Sequence, residues 1–283
     1  MQVIESFIES KTGNPECCED AMFINEHFAA VIDGATSKAK MLPSGVTTGK
    51  KAAELIKASF PTIPADAGPA EVMEALNQGI FDFYVEEGML DTAHDEPETR
   101  LSAAVIVYSA YHRKIFSVGD GAALIDGTPV TRVKNVDRIT AEARAFFLET
   151  EIRKGKTVSQ LLDDDTGREF IFELLKRQCL FQNAPVASPY TYYVIDGFFS
   201  SDSNAGRIDL YPVPHAAREL VLSSDGYPRL LPTLAETEAE LSRIIAEDPL
   251  CFRSFKSTKG VYKGNVSFDD RTYIRIDVAE HNT

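Results

Sequence analysis

A chain of 283 residues, 44% hydrophobic and 25% charged, has the balance of an ordinary globular protein and the length to bury a core without disulfide or metal staples. Its 43 acidic against 29 basic side chains leave a formal charge of −14, which argues against a nucleic-acid partner. No apolar run approaches the roughly 20 residues of a membrane span, so no membrane partner is expected. The four cysteines, Cys17, Cys18, Cys179 and Cys251, contain no C-x-x-C pair, and the opening Met-Gln-Val-Ile-Glu-Ser has neither the basic nor the apolar segment of a secretory signal. Reduced thiols and a cytoplasmic location are the expectation.

Val3–Ser10 and Ala21–Ile24 read as short strands separated by a Gly13-Asn14-Pro15 turn. His27–Ile32 is a continuous apolar run, a buried strand expected to stop at Asp33-Gly34. Helical spacing follows over Thr47–Phe60, closed by Pro61 and Pro64, and again over Pro69–Glu87. Ser102–Ser109 and Lys114–Val118 form an expected hairpin through Ala110–Arg113, with a further strand at Ala122–Ile125. Arg138–Gln182 reads as helical throughout, broken near Asp163-Asp164-Asp165 and Gly167. The acid triplet reads as a solvated helix end or N-cap. Strands are expected at Tyr192–Ile195, Arg207–Tyr211, Glu219–Leu222 and Thr272–Val278, with one more helix at Thr233–Ala246. Hairpin-linked strands with helices in blocks predict an α+β layered sandwich rather than a doubly wound parallel sheet.

Five Asp-Gly pairs punctuate the chain. Asp126-Gly127 and Asp196-Gly197 read as turn chemistry, in which Asp caps and Gly accepts a positive φ. The other three, Asp33-Gly34, Asp120-Gly121 and Asp225-Gly226, each close an apolar strand run, while Asp269-Asp270 precedes the last strand and Glu19-Asp20 the second. Carboxylates gathered at strand ends repel one another unless a cation lies among them, and an all-oxygen set without a Cys/His cluster selects hard ions such as magnesium or manganese.

Taken in order, Glu19-Asp20, Val31-Ile32-Asp33-Gly34, Val118-Gly119-Asp120-Gly121, Ser223-Ser224-Asp225-Gly226 and Asp269-Asp270-Arg271-Thr272 resemble the motifs of the metal-dependent type-2C Ser/Thr protein phosphatases, the PPM family, as a divergent bacterial-type member. The resemblance runs from Glu19 to about Val278. It implies a four-layer αββα sandwich of two antiparallel sheets flanked by helices, one domain over 1–283, with a helical, flap-like insertion at about 138–182. It implies a dinuclear manganese or magnesium site in which Asp33 bridges both ions. Glu19 and the Gly34 carbonyl would complete one, Asp225 and Asp269 the other, and Asp120 with Asp225 would hold a third. Asp20 and Asp270 would stand behind the ligands. The implied chemistry is direct in-line attack by metal-bridging water on a phosphorylated protein or a small phosphorylated substrate, with Asp33, Asp225 and Asp269 catalytic.

The chain departs from that pattern at the phosphate grip. Pro15 stands where the family has an arginine four residues before the acid, and Ala35 where the eukaryotic branch has a histidine. A longer loop, Ala35-Thr36-Ser37-Lys38-Ala39-Lys40, replaces the glycine-rich stretch; in it Lys38 is the candidate substitute for the lost charge. The alternative reading is a catalytically weak regulatory or binding module on the same fold, or a small-molecule phosphatase. Lys11-Thr12-Gly13 and Ser37-x-x-Lys40 are fragments of serine β-lactamase motifs, but in reversed order and without S-D-N. His27, His94, His112, His215 and His281 show no ligand spacing.

Overall fold

A computed structural model describes residues 1–38, 42, 44–130, 134–186, 188–200 and 207–279; Ala39 and Lys40 of the loop after Gly34, and His281, lie outside the described residues. Ten strands form two antiparallel five-stranded sheets. One is ordered β2 (Asp20–Ile24), β3 (Phe28–Ala35), β4 (Ser102–Ser109), β5 (Lys114–Val118), β8 (Asp209–Pro212). The other runs β1 (Gln2–Glu9), β10 (Arg271–Asp277), β9 (Glu219–Ser223), β6 (Ala122–Ile125), β7 (Thr128–Pro129).

The apolar run ending in β3 is buried on both sides because it is the middle of a layered stack. Phe28, Ala30 and Ile32 face α1 (Thr48–Ser59) and α2 (Pro69–Glu86), packing on Ala52, Ile56, Phe60, Leu76 and Ile80. Ala29 and Val31 face the opposite sheet, meeting Ile106, Leu220, Leu222, Ile274 and Ile276 between the layers. Each of the larger side chains contributes about 1.5–3 kcal/mol on full burial, so a polar residue on either face of β3 is costly. On the far side α7 (Leu234–Glu247) seats Leu241 against Val221 and Tyr273. The order is helices, sheet, sheet, helix: an α+β architecture of four layers.

The strand through Asp33 does not stop at the Asp-Gly pair; β3 continues to Ala35, carrying Asp33 inside its ladder opposite Ala104. Tyr192–Ile195 is not a strand. Asn183 takes over its pairing, donating from its side chain to the Val194 carbonyl and receiving the Val194 amide, so only isolated bridges at Tyr192 and Ile195 form. The helical stretch resolves into α4 (Asn135–Arg153), α5 (Val158–Asp163) and α6 (Thr166–Arg177); Gly167 lies inside α6 rather than breaking it, because Leu148 and Arg144 of α4 approach too closely for a Cβ. A short α3 (Leu90–Asp95) and the two-residue β7 have no periodicity to betray them.

Candidate metal and phosphate site

Strand register assembles the acids. Asp20 opens β2 directly across from Asp33, and β9 leads into Asp225 beside the start of β10, where the Ser224 amide donates to the Thr272 carbonyl at 3.2 Å. Thr272 Oγ1 donates to Asp20 Oδ2 at 2.8 Å, tying one sheet to the other at this edge. The motif glycines make the approach possible by having no side chain. A Cβ on Gly34 would lie 2.2 Å from the Gly49 carbonyl oxygen of α1, and one on Gly226 would lie 2.0 Å from the Asp270 carbonyl. By contrast Gly127 and Gly197 hold positive φ, 77° and 85°, as ordinary turn glycines. Asp196 is consumed structurally, accepting from Arg100, Gln182 and Asn183.

Lysines answer four of the acids. Lys11 Nζ lies 3.0 Å from Glu19, 3.1 Å from Asp270 and 3.8 Å from Asp269. Lys259 Nζ is 2.5 Å from Asp269, and Lys134 Nζ is 2.8 Å from Asp120. The second Glu19 oxygen accepts from Thr36 Oγ1. Asp270 is a clamp rather than an open ligand: it accepts from the Lys11 amide at 2.7 Å and the Glu19 amide at 3.0 Å, as well as from Lys11 Nζ. Among the described residues, Asp33 and Asp225 have no side-chain donor or ion pair of their own, and no three acid, histidine or cysteine side chains close into a ready cage.

The electrostatics follow from that division. Burial, then the charges of Asp225, Asp20, Asp120 and Asp269, holds Asp33 well above the usual carboxylate range. Asp225 still meets solvent at the mouth, yet loss of surrounding water and the charges of Asp269 and Asp120 push it up to about 8. Burial raises Asp20 to about 7 against the opposing hydrogen bonds from Ser224 and Thr272. Burial acts upward on Asp269 and Glu19 too, but Lys259 and Lys11 on the first, and Lys11 and Thr36 on the second, carry both below the usual range. Asp33, Asp225 and Asp20 are thus held toward neutrality beside lysine-paired neighbours, an environment that a further positive charge would relieve. The donor chemistry, all hard oxygen, therefore fits a divalent cation between Asp33 and Asp225.

Lys38 folds back onto the Thr36 carbonyl at 2.7 Å. The other arginines near the strand ends are committed elsewhere: Arg100 to Asp196, and Arg271 to Glu9 and Glu238. Lys11, Lys134 and Lys259 carry no motif by which sequence alone could find them; Lys11 shows only as part of Lys-Thr-Gly. A cleft of about 430 Å³ between β1, β2 and α1 touches the acid cluster only at Asp20.

No protein-family model and no curated protein matches the sequence. Among solved structures, the chain is similar to the serine/threonine phosphatase PstP/Ppp of Mycobacterium tuberculosis, at 16% identity over 98% of both chains with a TM-score of 0.47. The PstP catalytic domain in complex with two manganese ions matches at 14% identity over 96% of both chains, TM-score 0.46. Stp1 of Staphylococcus aureus matches at 11% identity over 99% of this chain and 96% of its own, TM-score 0.48. The structural neighbours of this chain are bacterial PPM-type serine/threonine phosphatases.

Proposed function

We propose that the protein is a metal-dependent phosphomonoester hydrolase acting on phosphoserine or phosphothreonine in proteins. The observation that carries the reading is the pair Asp33 and Asp225, two carboxylates that form no ion pair among the described residues, set among further acids. Asp33 with the Gly34 carbonyl and Glu19 would hold one ion and Asp225 with Asp269 a second, with Asp120 at a third position. When bound, such ions supply an activated water and neutralise charge on the transferring phosphoryl group. The chain's own part is placement. Thr272 fixes Asp20 behind the ligands, and Asp270 fixes Lys11 and the Glu19 backbone.

Lysines paired with Glu19, Asp269 and Asp120 favour a second reading, a weakly turning-over regulatory module on the same fold, because an ion must draw those oxygens away from ammonium groups. Hydrolysis of a chromogenic phosphate monoester and of a phosphothreonine peptide, with manganese and with EDTA, decides between them. The first reading requires turnover that needs manganese and stops on chelation. Turnover undiminished by excess EDTA overturns it, and manganese binding without turnover selects the second.

A further inference from the structure

Helices α4 and α6 are apolar on two sides, and the fold uses one. On the inner side Ala145 and Leu148 of α4 pack on Leu250 and Phe252, and Gly167, Ile171 and Leu175 of α6 are buried. On the outer side Phe147 and Phe170 stack across the two helices, ring centroids 4.4 Å apart and planes 14° from parallel. That stack shows which flanks meet at the surface. Phe146, next to it, is 74% exposed, and Ile139 lies two turns back along the same side of α4. Phe170 is 55% exposed, with Leu174 one turn further along α6. Side by side, the helices present an apolar strip that no other element covers among the described residues.

An aromatic side chain offers on the order of 200 Å², so Phe146 and Phe170 together uncover about 250 Å². With Ile139, Phe147 and Leu174 the strip reaches the few hundred Å² that mark a binding surface on a monomer. Charge selects the occupant. The chain carries −14, so two copies repel over most of their surface. Over α4 and α6 that repulsion is absent, because six acidic side chains in Asn135–Arg153 and Thr166–Arg177 meet six basic ones. A neutral face selects neither a strongly basic nor a strongly acidic partner. Its rim carries both signs: Glu142 one turn before Phe146, and Glu173 and Arg177 one turn beyond Phe170 and Leu174. Such a surface is self-complementary about a two-fold axis, which can set Arg177 of one copy near an acid of the other. We propose that the outer face of α4 and α6 is the contact of a symmetric dimer, in which four helices form one layer across the axis. The strip with its rim, contributed twice, places the interface at the low end of specific ones, about 1,200 Å² in total, and the affinity in the micromolar range. The dimer does not depend on the phosphatase reading.

Sedimentation velocity of the full chain, from about 1 to 200 μM, tests the contact. The wild type should show a monomer–dimer equilibrium within that range. Phe146→Glu and Phe170→Glu should each raise the dissociation constant about tenfold or more. Both side chains stand in solvent, so at concentrations where the wild type is monomeric each variant should melt with it; Leu174→Lys repeats the test at a third position. Added salt screens the repulsion between the acidic copies and should strengthen association. The other exposed apolar stretch, Val3, Ile4 and Ile8 on the outermost strand β1, supplies the control: Ile8→Lys should leave the dissociation constant within about twofold. A wild type that stays monomeric throughout overturns the dimer and leaves the strip to a partner of another kind. A dimer that Ile8→Lys dissociates and Phe146→Glu does not overturns it in favour of β1. A dimer that salt dissociates overturns the apolar contact.

Discussion

Asp270 and Asp33 belong to one acid cluster and are opposite in what their replacement should do. Asp270 is 3% exposed and satisfies two backbone amides besides Lys11, so Asp270→Ala strands two donors and leaves Lys11 to Glu19 and Asp269. Each buried donor left without a partner costs about 1–3 kcal/mol, and the melting temperature of the chelated protein should fall accordingly. Asp33→Asn acts the other way. It removes a charge that its neighbours repel, so the metal-free protein should melt higher at pH 8 while manganese affinity and turnover fall by orders of magnitude. Differential scanning fluorimetry beside manganese titration reads both. An Asp33→Asn protein that melts lower than wild type without metal, or binds manganese equally well, removes Asp33 from the centre of the site.

The helices between β7 and β8 act on the site through one buried arginine. Arg144 of α4 is fully buried; Nε and Nη2 donate to Asp165 Oδ2 at 3.1 and 2.6 Å, and Nη1 donates to the Cys251 and Ser257 carbonyls. Asp165 also caps α6 by accepting from the Arg168 amide at 2.9 Å, so of the acid triplet it is the one that serves as an N-cap. One carboxylate therefore sets α4, α6 and the loop that carries Lys259. Asp165→Ala should cost about 3 kcal/mol or more, and should weaken manganese binding through the loop that sets Lys259 on Asp269, although Asp165 lies outside the acid cluster. A variant with wild-type stability and manganese affinity would show that α6 and this loop are held by other means. This linkage was invisible in sequence, since Arg144 is an ordinary helical residue until Asp165 is placed beside it. The acids themselves were legible, because Asp33, Asp120 and Asp225 each end an apolar run at a glycine and Glu19-Asp20 and Asp269-Asp270 each precede one. Lys11, Lys134 and Lys259 were not, because cations on loops leave no period and the acids they pair with leave no mark on them. Tyr192–Ile195 misled for the complementary reason: its β-branched and aromatic composition suits a strand, but a side-chain amide at Asn183 met its backbone first.

At the scale of the whole molecule the site is a liability that a cation should relieve, and pH reveals it. A carboxyl whose pKa is higher folded than unfolded keeps its proton more tightly in the folded chain. Stability therefore falls as pH rises from the ordinary carboxylate value, about 4, toward the folded value. Asp20, at about 7, and Asp225, at about 8, act in this window, with Asp33 shifted in the same direction. Glu19 and Asp269 are shifted down, so the stability they add is present above about 4 and is lost only as pH falls below it. Between about pH 5 and 8 the raised carboxyls, with Asp137 shifted the same way by burial, set the downward slope. The net charge of −14 works in the same direction, since self-repulsion grows as the remaining protons leave. In EDTA the melting temperature should decline steadily across that window. Manganese should flatten or reverse the decline, because binding to ionised carboxylates adds stability to the folded state alone and does so more as pH rises. Asp33→Asn should flatten the chelated profile without metal. A chelated protein that grows more stable from pH 5 to pH 8 would mean that Lys11, Lys134 and Lys259 already balance the cluster, and that no further cation is needed there.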